Sequence, residues 1–75
     1  MNQETRDELI ELANAKMPFG KYERKFLIDI PENYLVWYKN KGFPVGKLGV
    51  QMEQILEIKM NGLEPLIYKL KKNVD

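Results

Sequence analysis

No cysteine occurs in this chain of 75 residues, so whatever it folds into must hold together without a disulfide or a thiolate-bound metal. A domain of that size buries only about 60% of the surface its unfolded chain exposes. It can build one small core, and the deficit has to be met by good helix packing or by self-association. The balance of 44% apolar and 31% charged residues is that of a folded globular protein, not of a disordered tail or a membrane span. Without repeats, low-complexity tracts or linkers, a single small domain over residues 1–75 is expected. The opening M-N-Q-E-T-R-D-E has no apolar run of the kind that marks a secretory leader, which points to a cytoplasmic protein with no membrane partner.

The net charge of +1 conceals an uneven distribution. Residues 1–11 carry one cation and four anions, whereas residues 12–47 carry seven cations and three anions. Residues 48–66 are acidic again, and the chain ends basic through Lys69, Lys71 and Lys72. A modest positive face follows, weaker than the field of a dedicated DNA-binding domain.

Thr5-Arg6-Asp7-Glu8 has the form of a capping box, with Thr5 as N-cap and Glu8 reaching back to it. An amphipathic helix is predicted from there, ending before Pro18, with Leu9, Ile10, Ala13 and Met17 on its apolar side. Residues 18–22 and 26–30 are short β-inclined runs separated by Glu23-Arg24-Lys25, which predicts a β-hairpin. Alternation would place Phe26, Ile28 and Ile30 on one face of it. If its turn needs a left-handed residue, Glu23 or Arg24 must supply it, at some cost, because no glycine stands there.

Pro31 suits the first position of a second helix over Glu32–Lys41, with Gly42 as its stop and Lys39 and Lys41 near its negative end. On the helical wheel Tyr34, Trp37, Tyr38 and Lys41 fall within an arc of roughly 100°. Three aromatics on one stripe suit either a stacking platform for bases or the filling of a small core, and the core is the more ordinary use. A third helix is predicted over Lys47–Met60, with Leu48, Met52, Ile55 and Leu56 on one face and Glu53 and Glu57 on the other, before the terminating pair Asn61-Gly62. A further short helical pattern over residues 63–72 opens near Pro65, with Leu66, Ile67 and Leu70 apolar.

The reactive side chains exclude more than they suggest. Histidine, cysteine and serine are absent, and Thr5 is the only threonine, so the usual nucleophile–base pairs cannot be assembled. Zinc sites of the ordinary kind are excluded on the same ground. Glu53 and Glu57, one helical turn apart, could share a divalent cation with water, but like charges at that spacing on an outer face are ordinarily just solvated. No phosphate-loop or dinucleotide glycine pattern occurs. The reading is therefore of a non-enzyme with no catalytic residues, no metal and no cofactor.

Four ordered motifs carry a family resemblance: K-M-P-F-G-K-Y, L-I-D-I-P-x-x-Y-L-V-W-Y, K-G-F-P-x-G-K-L-G and E-I-K-x-N-G-L-E-x-L-I. Together they resemble a family of short bacterial proteins labelled putative quorum-sensing-regulated virulence factor, and the resemblance covers residues 16–70. The label implies a regulatory setting and no particular reaction. More narrowly, F-G-K-Y-x-x-K followed by Y-L-x-W resembles the small C-terminal module of exodeoxyribonuclease X-like proteins. That resemblance implies a nucleic-acid contact through Lys21 and Lys25. The chain departs from the usual F-G-K-Y-K-G-K by carrying Glu23 and Arg24, which adds an anion and removes the residue suited to a left-handed turn.

The expected fold is a small α+β domain, mainly helical with three to four helices and one two-stranded β-hairpin. The expected activity is sequence-indifferent binding of a DNA or RNA backbone, or an accessory role beside a nuclease-like partner. Lys16, Lys21, Arg24, Lys25, Lys41 and Lys47 are the candidate phosphate contacts, set against the ordinary alternative that they keep the surface soluble. The alternative function is a protein–protein adaptor or regulatory homodimer, using the acidic helix near Glu8 and Glu11 or the apolar C-terminal segment.

Overall fold

A computed structural model of the chain describes residues 3–71. Among them are four α-helices, α1 (Gln3–Asn14), α2 (Glu32–Lys41), α3 (Lys47–Met60) and α4 (Glu64–Tyr68), with a 3-10 turn at Leu27–Asp29 between the first two. Lys72, where the predicted last helical pattern and basic run end, lies outside the described residues.

The helix boundaries follow local chemistry. The first helix already runs at Gln3, two residues ahead of the expected cap Thr5, and the Gln3 amide donates to the Asp7 carboxylate one turn on, at 3.1 Å. It stops at Asn14, earlier than the proline alone requires. The Asn14 amide donates to the Ile10 carbonyl at 2.8 Å and to the Leu70 carbonyl at 3.2 Å, tying the helix end to the far end of the chain. Met17 is buried, as its apolar character demands, but from the extended stretch beyond the helix.

The second and third helices have the predicted bounds. Pro31 is the N-cap of α2, one position outside its predicted place, and Gly42 closes the helix at φ +98°. The end of α3 is a Schellman motif: Gly62, at φ +67°, donates to the Lys59 carbonyl at 3.1 Å while Leu63 donates to the Ile58 carbonyl at 2.9 Å.

The predicted β-hairpin is not formed, and with it the α+β class is replaced by an all-helical architecture. No sheet is present among the described residues; a single antiparallel bridge pairs Lys16 with Phe26. Around it, Met17 donates to the Lys25 carbonyl at 2.8 Å, Arg24 to the Met17 carbonyl at 2.7 Å and Leu27 to the Ala15 carbonyl at 2.9 Å. Residues 15–17 thus pair with residues 24–27, and the first run expected to be a strand is consumed in reversing the chain. The second run fails for a different reason. Leu27, Ile28 and Ile30 are all fully buried, so they lie at the centre of the core and cannot show alternate residues to solvent. A 3-10 turn buries neighbouring residues where a half-exposed strand would not.

That turn contacts α1, α3 and α4, while α2 packs on α3 and α1 on α4. The core they enclose holds Leu12, Ala13, Met17, Leu35, Met52, Ile55, Leu56 and Ile67 besides the turn's own residues, and no polar side chain is buried among the described residues. No helix is long and apolar enough to cross a membrane among those residues.

The chain reversal does require the left-handed residue anticipated at Glu23 or Arg24. Arg24 takes it, at φ +70°, the single non-glycine residue with positive φ among those described. An L-residue with a Cβ pays roughly 1–2 kcal/mol in that conformation. Arg24→Gly is therefore expected to raise stability by about 0.5–1 kcal/mol, after allowance for glycine's greater freedom when unfolded. A melting temperature equal to or below the parent's would show that the Arg24 side chain offsets its backbone strain.

Candidate functional site

The basic segment folds into the loop of residues 15–27, and α2 lies beside it. A β-carbon added at Gly20, itself at φ +81°, would sit 3.9 Å from the Tyr34 hydroxyl. The Tyr22 ring meets Tyr34 edge-on with centroids 4.8 Å apart. Tyr34 stacks on Trp37 at 5.9 Å, and Trp37 and Tyr38 meet edge-on at 5.8 Å. Tyr38 in turn stacks on Phe43 at 6.1 Å, so the rings form a connected ledge from the loop to the end of α2.

Ammonium groups stand on this ledge at its loop end and at its middle ring. The Lys21 Nζ lies 5.4 Å from the Tyr22 ring centroid, and the Lys41 Nζ lies 5.8 Å from that of Trp37. Each is a weak cation–π contact of the exposed kind, on the order of 0.5–1 kcal/mol. Arg24 stands near Glu23, at 3.9 Å with both side chains largely exposed, which contributes little. Among the described residues no carboxylate pairs with Lys16, Lys21, Lys25 or Lys41.

The six predicted cations do not all join this surface. Lys16, Lys21, Arg24 and Lys25 share the loop, and Lys41 reaches it through the aromatic series. Lys47 is engaged elsewhere, in an ion pair with Glu11 of α1. It lines an open depression between α1 and α3 with Glu8, Gln51 and Gln54. It therefore drops out of the candidate surface. Lys16 is in the loop, yet its ammonium lies over Phe26 at 5.1 Å, a ring also covered by Lys71 at 4.2 Å. Lys71 bonds the Asp29 carboxylate at 3.1 Å, closing the segment after α4 over the 3-10 turn. Beside it, partial burial pushes the Tyr68 hydroxyl above its ordinary value, and the negative charge of Asp29 adds to the rise.

The core expectation holds for two rings of the aromatic stripe, since Tyr34 and Tyr38 are part-buried against the core, and fails for Trp37. Leu35 is the buried side chain of α2, and Trp37 is 53% exposed. At roughly 100° per residue, Leu35 lies about 60° from Tyr38 and about 160° from Trp37 on the wheel. Once Leu35 points inward, Tyr34 and Tyr38 fall on the margins and Trp37 on the solvent side. That geometry was readable in the sequence, because Leu35 is the one leucine in the segment, but the aromatic arc outweighs a single leucine in any count of apolar character. Glu53 and Glu57 are both exposed on α3, and no group of three or more potential metal ligands is gathered among the described residues.

A family model described as putative quorum-sensing-regulated virulence factor matches residues 5–70. In Escherichia coli K12 a protein named "Uncharacterized protein YpeB" is 52% identical over 68 residues, which cover 89% of this chain and 94% of that relative. The same figures hold for the YpeB protein of Escherichia coli O157:H7. No solved structure matches. These matches do not extend to the exodeoxyribonuclease X-like module that the loop motif resembles.

Proposed function

This chain belongs to the family described as putative quorum-sensing-regulated virulence factor, and for it we propose a non-enzymatic, sequence-indifferent nucleic-acid-binding or accessory module of the cytoplasm. The observation that carries the reading is the set of cations free of carboxylates on the loop and at the end of α2, namely Lys21, Lys25 and Lys41, with Arg24 only weakly held by Glu23. Charges without an internal partner keep their full attraction for phosphates, and such contacts position a duplex or strand without reading its sequence. The family label adds a regulatory setting in which such a module would act beside a partner that supplies specificity.

The test is anisotropy titration of labelled DNA and RNA at several salt concentrations. Binding is expected to weaken with salt at a slope corresponding to about three or four displaced counterions. Replacing Lys21, Arg24 and Lys25 together by alanine should flatten that slope by about two or three counterions. An unchanged slope in the variant would remove the loop from the interface.

A regulatory homodimer is the second reading, favoured by an apolar groove of about 190 Å3 lined by Leu9, Ile58, Leu63, Leu66, Ile67 and Leu70. Leu63 and Leu66 are about half exposed there. A mass that doubles with concentration in light scattering, without nucleic acid, is its signature.

A further inference from the structure

We infer that the ledge on α2 is a base-stacking platform and that the ligand is single-stranded nucleic acid, with Trp37 as the stacking face; this rests on the nucleic-acid reading above and narrows it. A phosphate-contacting patch needs only cations. Here the cations are interleaved with a connected run of rings, and the largest of those rings is turned to solvent although apolar surface of that size is ordinarily buried. In a duplex the base faces are already stacked on one another, so an exposed indole gains nothing from them. In a single strand each base offers a free face, and stacking on an aromatic side chain strengthens binding by about five- to 150-fold per base.

The rings are prepared for that use. Tyr34 stacks on Trp37 and Tyr38 meets it edge-on, which holds the indole in place, while Tyr22 supports Tyr34 from the loop. A base arriving on the indole competes with Lys41. The Lys41 contact strengthens the resting arrangement only about two- to fivefold, less than a stacked base contributes. The displaced ammonium is tethered one helical turn from the base and is free to meet the adjoining phosphate. Lys21 can serve the phosphate at the loop end of the series. One cation therefore stands at the indole and another at the loop end of the rings, both available to phosphates of a strand laid along them, and no base edge is read, so the selectivity is for strandedness and not for sequence.

Trp37 is the chain's only tryptophan, so its fluorescence reports this one position. Oligo-dT and oligo-rU of about twelve nucleotides, and a duplex of the same length, are titrated onto the full chain at low salt, following tryptophan emission and anisotropy. Single strands are expected to bind about tenfold more tightly than the duplex and to quench the emission, which the duplex leaves unchanged. Trp37→Ala should lose about tenfold in single-strand affinity and nothing in duplex affinity, whereas Trp37→Phe should lose less than about threefold. Circular dichroism of both variants verifies their fold. Equal affinity for single strand and duplex, with Trp37→Ala unchanged, would overturn stacking and leave phosphate binding standing. No binding of any oligonucleotide would overturn both readings. A blue-shifted emission that grows with protein concentration alone would make the ledge a contact between two copies of the chain, and would also overturn the inference.

Discussion

Gly49→Ala lowers the melting temperature by about 10–20 °C, the expected consequence of a net loss of about 2–3 kcal/mol in a domain this small. Helix propensity alone predicts the opposite sign, since alanine is better than glycine inside a helix by up to about 1 kcal/mol. What decides is the approach of the preceding loop. A β-carbon at Gly49 would lie 1.8 Å from the Pro44 carbonyl oxygen and 3.0 Å from its carbon, with the Phe43 β-carbon at 3.4 Å. The nearest obstacle is backbone, so no side-chain rotation relieves it, and the start of α3 must move off the loop that joins it to α2. A chain of 75 residues has roughly 4–11 kcal/mol of stability in total. Thermal melting by circular dichroism measures the effect, and a rise in melting temperature would mean that the loop yields at almost no cost.

Leu35→Ala is expected to cost about 3 kcal/mol, while Trp37→Ala, two residues along the same helix, costs about 1 kcal/mol or less. Leu35 has no exposed surface and is the buried residue of α2, so its removal leaves a cavity against α3 and loosens the helix that carries the ledge. Trp37 is larger, yet over half of it already faces water, and its neighbours Tyr34 and Tyr38 are themselves partly solvated. The comparison separates a core stripe from a surface ledge independently of any ligand. Urea unfolding of the two variants beside the parent is sufficient, provided that the slope of each transition is the same. Equal losses in the two would return Trp37 to the core and deprive the stacking proposal of its platform.

Taken together, the two variants distinguish what holds the ledge from what the ledge does. Leu35→Ala should weaken oligonucleotide binding only as far as it unfolds or loosens α2, whereas Trp37→Ala should lose affinity with the fold intact. The loop variants act on a different quantity again, the salt dependence. Stability, stacking and charge are thus read by three separate measurements on one small protein.

Much of this was legible in the chain itself. The bounds of α2 and α3 follow from Pro31, Gly42 and Asn61-Gly62, because caps and stops act through backbone groups within a few residues and need no distant partner. The left-handed turn residue was limited to two positions for the same reason, and the basic loop and the family could be recognised from contiguous motifs. Tertiary structure decided the rest. Residues 26–30 have the composition of a strand, but a strand needs a partner edge, and the described residues supply only one bridge before the core draws Leu27, Ile28 and Ile30 inward together. Lys47 looked equivalent to the loop lysines until folding set Glu11 beside it. The orientation of α2 was settled by its one buried side chain, Leu35, with Tyr34 and Tyr38 packed against the core beside it, and that choice turned the indole two residues away to the solvent. Local signals set where each helix begins and ends; which face it shows is set by what the other helices leave room for.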